Sequence, residues 1–365
     1  MMARTCRQAR PVRRGVSAVF FLVMLVVILA MVAFAVDVGY LALVRTQLQV
    51  AADSAALAAA ASMEKASSDP VAVAQSYAAQ NRAGGRTVEI AAADVLLGNW
   101  DMSLRTFTPS GTPTNAVRVT ARRDQTAGGE VPLLFARVLG ARSCSLRTEA
   151  IAVFLTNFQG FRLPQSGSLG ILPMAMSKET ADAMVAGSGT DTWTWNPDTG
   201  TITAGADGTV EGSMYPGDKS TPGNFGTITI GPWDSSTEIQ DRQIRGGLTA
   251  EDLAPYGGQF ALGPDGALTL NGNPGISAML QDALQSVVGQ TRILPIYSTV
   301  VEQGSTAQFT LVEFIGVRLL EVDLSGALKG KHVTIQAGRL LTPDGIPTTG
   351  APKSYWIYEP VHLVQ

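Results

Sequence analysis

The sequence predicts a membrane-anchored α+β protein. A long N-terminal transmembrane helix continues beyond the membrane, a small α+β unit follows, and a β-rich domain closes the chain. Three observations carry this. Residues 15–36 hold no charged side chain. Helical spacing of apolar and small residues then runs on to Ser62 without a proline. Beyond residue 157 turn signals become dense and helix signals thin out.

The apolar run has 22 residues. As a helix it reaches ~33 Å, enough for a hydrocarbon core of about 30 Å. Arg4, Arg7, Arg10, Arg13 and Arg14 precede it with no acid among them, and Asp37 follows it. A basic flank of this kind holds its own side in the cytoplasm. The expected topology is therefore a single pass through the cytoplasmic (inner) membrane, N-terminus in and C-terminal domain out. Past Asp37, Leu41, Val44, Leu48, Ala51, Ala55, Ala58 and Ser62 recur at spacings of 3 and 4. Val27, Ala30, Phe34 and Asp37 carry the same stripe back into the apolar run. Eight of the 11 residues in 51–61 are alanine, the strongest helix former, so one continuous helix is expected.

The segment from Arg13 to Ala60 resembles the N-terminal segment of TadE/TadG-like proteins of Flp (Tad) pilus assembly. The pattern is a basic start, a Gly, an apolar run, D-x-G, a Gln-containing stretch and A-D-x-A-A-L-A. Gly15, Asp37, Gly39, Gln47, Gln49, Ala52, Asp53, Ala55, Ala56, Leu57 and Ala58 match it. The resemblance implies a non-enzymatic membrane component of a pilus assembly or secretion apparatus. Its partners would be other pilus-assembly or pseudopilin-like membrane proteins. Gly15, Asp37, Gly39, Leu41, Val44, Gln47, Leu48, Ala52, Asp53, Ala55 and Ala56 are the expected helix-packing and motif positions. Small residues on such a stripe let helix backbones approach closely. Asp37 has two readings: a hydrated marker of the membrane boundary, or a polar group on the seam that fixes register with a partner.

A different function class stays open. Ala33-Phe34-Ala35 fits a small-x-small cleavage site, and cleavage near Ala35 would release a secreted or surface binding module, adhesive in character. The long apolar run and the helical pattern through Ala35 oppose cleavage. Prepilin-type processing after Gly15 wants Glu five residues on, where Phe20 stands.

The expected organisation is a cytoplasmic basic tail (1–14), the transmembrane helix (15–36) and its continuation (37–66). An α+β unit (70–156) and a β-rich ectodomain (157–365) follow. Asp69 caps a short helix opened by Pro70. Strands are expected at 87–90, 94–97, 103–107, 116–121 and 143–154, with an amphipathic helix at 131–139. Within the last domain, turns at 196–200, 206–208, 215–218, 263–266 and 342–345 separate short strands. Asn273 and Pro274 start one helix near 274–288, and long strands are expected at 293–301 and 307–322.

Chemistry is sparse. Net charge is −3 and no basic stretch with interleaved aromatics occurs, which argues against nucleic acid as a partner. His332 and His362 are the two histidines, too few for a His-rich metal centre, and no G-x-S-x-G accompanies either. No phosphate-binding Gly-rich motif occurs, and Asp234-Ser235-Ser236 lacks the spacing of a metal-binding D-x-S-x-S. Neither a metal nor a cofactor is expected. Asp191, Asp198 and Asp207 read as turn acids before they read as a calcium loop. Cys6 and Cys144 fall on opposite sides of the predicted membrane. Trp193 and Trp195 share a strand face, as a core pair or as an exposed aromatic surface.

Overall fold

Helix α1 (Gly15–Ser62) is unbroken through Asp37 and extends ~72 Å at 1.5 Å per residue. The computed structural model describes residues 15–65, 67–165, 167–214, 223–232, 236–303, 306–326 and 330–364. The basic tail with Cys6, the 215–218 turn and Asp234-Ser235 lie outside them. From Ser17 to Val36 the side chains of α1 face outward: Phe21 is 77% and Phe34 71% exposed. Mean hydropathy of its most apolar window is 3.3, and among the described residues it is the one helix long and apolar enough to cross a membrane. An all-apolar, all-exposed helix surface is stable only in lipid or against other apolar helices.

The described chain divides into two compact units. The first holds α1, everything else up to Val153, and the strand His362–Leu363. Helix α2 (Pro70–Ala79) starts where the sequence places it: the Asp69 carboxylate accepts from the Val71 and Ala72 N–H groups, with Pro70 in the first turn. A five-stranded antiparallel sheet follows. It runs from β2 (Thr106–Pro109) through β1 (Val95–Asp101), β3 (Ala116–Arg123) and β4 (Leu146–Val153) to His362–Leu363. Strands β3 and β4 pair from Ala116 with Val153 to Arg123 with Leu146. One side-chain parity is buried along its length, with Val117, Val119, Ala121, Ala150 and Ala152. On the other, Ala116, Ile151 and Val153 join Trp100 in a cluster, while Arg118, Arg122 and Glu149 are half-buried and Arg147 is exposed. The C-terminal half of α1 lies along β3 and β4. The helix expected at 131–139 is instead a short strand (Val131–Pro132) and one 3₁₀ turn (Ala136–Leu139).

The second unit runs from Phe154 to Val361. It begins with β5 (Phe158–Arg162), the middle strand of a three-stranded sheet. Its main sheet contains β6 (Met174–Ser177), β7 (Phe225–Ile228), β8 (Leu268–Asn273), β9 (Thr291–Gln303) and β10 (Thr306–Asp323). Strand β9 pairs with β10 on one side and with β6 on the other. The pairings β10–β8, β8–β7 and β7–β6 complete a closed ring. A register shift at Ile296–Thr299 marks where β9 bends. Phe309 is fully buried against two glycines: a Cβ on Gly226 or Gly272 would come within 2.4 or 2.9 Å of its ring. Glu211–Met214 and His332–Ala337 extend the sheet beyond the ring.

Helices are more numerous in this unit than the sequence predicts. Lys178–Val185 (α3) and Thr237–Gly246 (α4) are each capped by a serine, Ser177 and Ser236, and Ala250–Leu253 (α5) by Thr249. The helix expected near 274–288 shrinks to a 3₁₀ turn (Ala278–Leu280) running into α6 (Gln281–Gln285). Asn273 does not cap it, because Asn273 ends β8 and its carboxamide accepts from the Gly275 N–H. Ser277 takes the capping role.

Asp252 of α5 is fully buried. Burial pushes its carboxyl up, but Arg242 bonds both oxygens at 2.6 and 3.0 Å. The Gln243 amide at 2.8 Å and the Thr249 N–H at 2.8 Å add to this. Together these partners outweigh burial and hold the group at about 2, below its ordinary 3.8. A depressed carboxylate contributes stability that is present above 3.8 and lost as pH falls through about 2, on the order of 2 kcal/mol. Protection from hydrogen exchange at 237–253, taken relative to the intrinsic rate at each pH, should therefore fall between pH 4 and pH 2. In Asp252→Asn protection should be low already at neutral pH and insensitive to that interval; unchanged protection in either experiment would refute the assignment.

Candidate functional site

The motif positions of α1 converge on the surface where the helix meets its own sheet. Asp37 is the first charged residue after the apolar run, yet only 4% of it is exposed. Its carboxylate accepts from three successive backbone N–H groups: Leu134 at 2.8 Å, Phe135 at 3.1 Å and Ala136 at 2.7 Å. These are the otherwise unpaired donors that open the 3₁₀ turn, a natural seat for an anion. The segment is not a full helix because Val131 and Pro132 pair with Cys144 and Ser143 as strand, and the Leu133 N–H goes to the Arg142 carbonyl. Asp37 thus neither hydrates freely nor waits for a partner helix; its bonds are made within the chain.

One turn further along, Tyr40 and Val44 receive the hairpin of Arg82–Ala83 and Arg86–Thr87. Gly84 at its tip has φ +59°, and a Cβ there would lie 3.2 Å from the Tyr40 hydroxyl and 3.3 Å from Val44 Cγ2. Both the backbone conformation and the space require glycine. The Gly84 N–H donates to Gln47 Oε1 at 2.9 Å. Gln49 Nε2 donates to Asp53 Oδ1 at 2.8 Å and to the Glu149 carbonyl of β4 at 3.1 Å. Asn81 donates to Ser54 Oγ at 3.1 Å. Arg123, 2% exposed, gives its guanidinium to the Ala83 and Gly129 carbonyls, and burial draws its pKa down.

Between these polar ties the contact is made of small side chains. Val44, Leu48, Ala51, Ala52, Ala55, Ala56, Ala59 and Ala60 are fully buried, as are Ala74 and Ala78 of α2, which lies along α1. Leu41 is half-buried. From Asp37 onward the stripe that the sequence offers to a partner helix is therefore occupied by the chain's own sheet and by α2. Gly39 is different: it is exposed, and a Cβ placed on it meets nothing within 4 Å. Gly15 opens α1, and its surroundings fall outside what is described.

The remaining candidates lie apart from this surface. Trp193 and Trp195 stand half-buried on the hairpin strand Trp193–Asn196, paired with Thr201–Ala204. The Arg318 guanidinium covers the Trp195 ring at 3.9 Å, and the ring also packs on Gly289. Asp191 accepts from the Asp207 and Gly208 N–H groups, 16 and 17 positions on, and Asp207 accepts from the Thr209 N–H two positions on, as a turn acid does. His332 Nε2 lies 3.2 Å from Glu321 Oε2, with the Gly330 carbonyl at Nδ1. Cys144 is a free thiol. The sequence alone missed Gly84, Asn81 and Arg123. Nothing local in the sequence marks Gly84 as a socket for Tyr40 and Val44.

Asp37→Ala leaves three N–H groups without their acceptor, each a loss of about 1–3 kcal/mol when buried. Amides of Leu134, Phe135 and Ala136 should then exchange much faster, while those of β4 stay protected. Asp37→Asn, which keeps one acceptor oxygen, should fall between. Equal protection in all three proteins would disprove the bonds.

Residues 15–62 match a family model described as putative Flp pilus-assembly TadE/G-like, and residues 55–152 one described as putative Tad-like Flp pilus-assembly. The first match is coextensive with α1, and the second ends one residue short of the boundary between the units. No curated protein and no solved structure matches the chain.

Proposed function

We propose, from an N-terminal region that matches two Flp pilus-assembly family models, that this chain is a single-pass, non-catalytic component of the pilus-assembly apparatus of the inner membrane. The observation that carries the reading is the continuity of α1. Its first half presents apolar side chains on every side, and its second half is the packed spine of a folded unit, with no break between them. Such a helix transmits position and rotation from the membrane to the unit as a rigid rod. The helical conformation of Ala33, Phe34 and Ala35 supports retention of the segment over cleavage. The arginines at 4–14 support a cytoplasmic N-terminus, with the chain beyond Asp37 outside.

Partner helices meet the face of α1 that its own sheet leaves free. Val36, Gly39, Leu43, Thr46 and Val50 recur at spacings of 3 and 4 on this face. Leu43 and Val50 are each 54% exposed, and Gly39 leaves room for a close backbone approach.

Two experiments test this reading. In spheroplasts carrying Cys144→Ser, an impermeant maleimide should leave Cys6 unlabelled until detergent is added; labelling of Cys6 in sealed spheroplasts would reverse the topology. Leu43→Glu should leave the protein inserted but sharply reduce co-purification of other pilus-assembly membrane proteins. Undiminished recovery would remove the free face from the mechanism.

A further inference from the structure

The 3₁₀ turn held by Asp37 carries an unusual surface. Val138 is 90% and Leu139 89% exposed, and Leu134 and Phe135 beside them are 58% and 47% exposed. Four large apolar side chains thus stand outward on a segment of six residues. Between Val131 and Thr148 there are three arginines, Arg137, Arg142 and Arg147, and no acid. Arg137 and Arg142 are exposed. Leaving such a knob in water is unfavourable, at about 25 cal/mol per Å² of apolar surface.

Its position says what covers it. The Asp37 carboxylate holds the backbone of Leu134–Ala136 against the residue at which the apolar run of α1 ends. The knob is therefore pinned within about one helical turn of Phe34 and Val36, side chains that stand exposed on the membrane half. If α1 crosses a bilayer, as proposed above, that level is the boundary between acyl chains and headgroups. Apolar side chains flanked by arginines are the composition that settles there: the apolar groups enter the acyl region and the guanidinium groups reach phosphates.

We propose that the turn bearing Leu134, Phe135, Val138 and Leu139 is a membrane wedge that inserts into the outer leaflet beside α1, with Arg137 and Arg142 on anionic headgroups. Together with α1 it gives the first unit a second point of attachment, which fixes the tilt of the unit relative to the bilayer.

The test uses the full chain with Cys6→Ser and Cys144→Ser, reconstituted in vesicles of zwitterionic and anionic phospholipid. A nitroxide is attached at Leu139→Cys, at Leu29→Cys in the span, or at Thr199→Cys on an exposed hairpin tip as an aqueous reference. Collisions with oxygen and with a water-soluble nickel chelate are compared. Leu139→Cys should favour oxygen over nickel, at a depth shallower than Leu29→Cys, and the preference should vanish when Val138→Asp is added. Nickel accessibility at Leu139→Cys equal to that at Thr199→Cys overturns the wedge. Low accessibility to both reagents also overturns it, and would mean that a second copy covers the turn. An aqueous signal at Leu29→Cys would instead defeat the membrane-spanning reading itself, so the two failures are distinguishable.

Discussion

The carboxylate of Asp37 on three backbone N–H groups is the contact on which the arrangement of the first unit depends. It sits where the helix changes surroundings, and it is made to main chain, not to another side chain. A carboxylate buried at such a level is costly unless fully bonded. Here the donors are the loose ends of a 3₁₀ turn, so one interaction answers the needs of both partners. It leaves α1 no freedom to rotate against the sheet, and the residues that follow fall into place at helical intervals: Val44 and Gln47 at the Gly84 hairpin, Gln49 on β4, Ser54 on Asn81.

The alanine content of α1 acquires a concrete role from this. Long side chains at 51, 52, 55, 56, 59 and 60 would hold α2 and the sheet away and pull the polar ties out of reach. Helix propensity and close packing ask for the same residue here, an agreement between local and tertiary preference that favours a single structure.

What could be read from sequence follows the range of the forces involved. The extent of α1 was legible because composition and period are local, and so was the Asp69–Pro70 start of α2. The period of the stripe told which residues share a face, but not that β3 and β4, about 70 to 100 positions away, would cover it. The turn at 131–139 has the pattern of an amphipathic helix, but its first residues pair as strand with Ser143–Cys144, and the turn that remains is capped by a residue almost a hundred positions earlier. Likewise the Trp193/Trp195 pair was legible as sharing a face, whereas the cation on Trp195 comes from Arg318. In the second unit, short helices started by a single serine or threonine leave too faint a trace among turn residues, and ring closure of the sheet depends wholly on distant pairing.

The return of the chain to the first sheet has a consequence for how the protein is put together. His362 pairs with Val153, so the points where the chain leaves for the second unit and comes back from it lie about 5 Å apart on neighbouring strands. The second unit is thus an insert spliced into one edge of a host that is already complete in its core. A replacement fold with adjacent termini could occupy the same slot without disturbing α1, Asp37 or the sheet. The first unit would then act as a standard mount for whatever fold fills the slot.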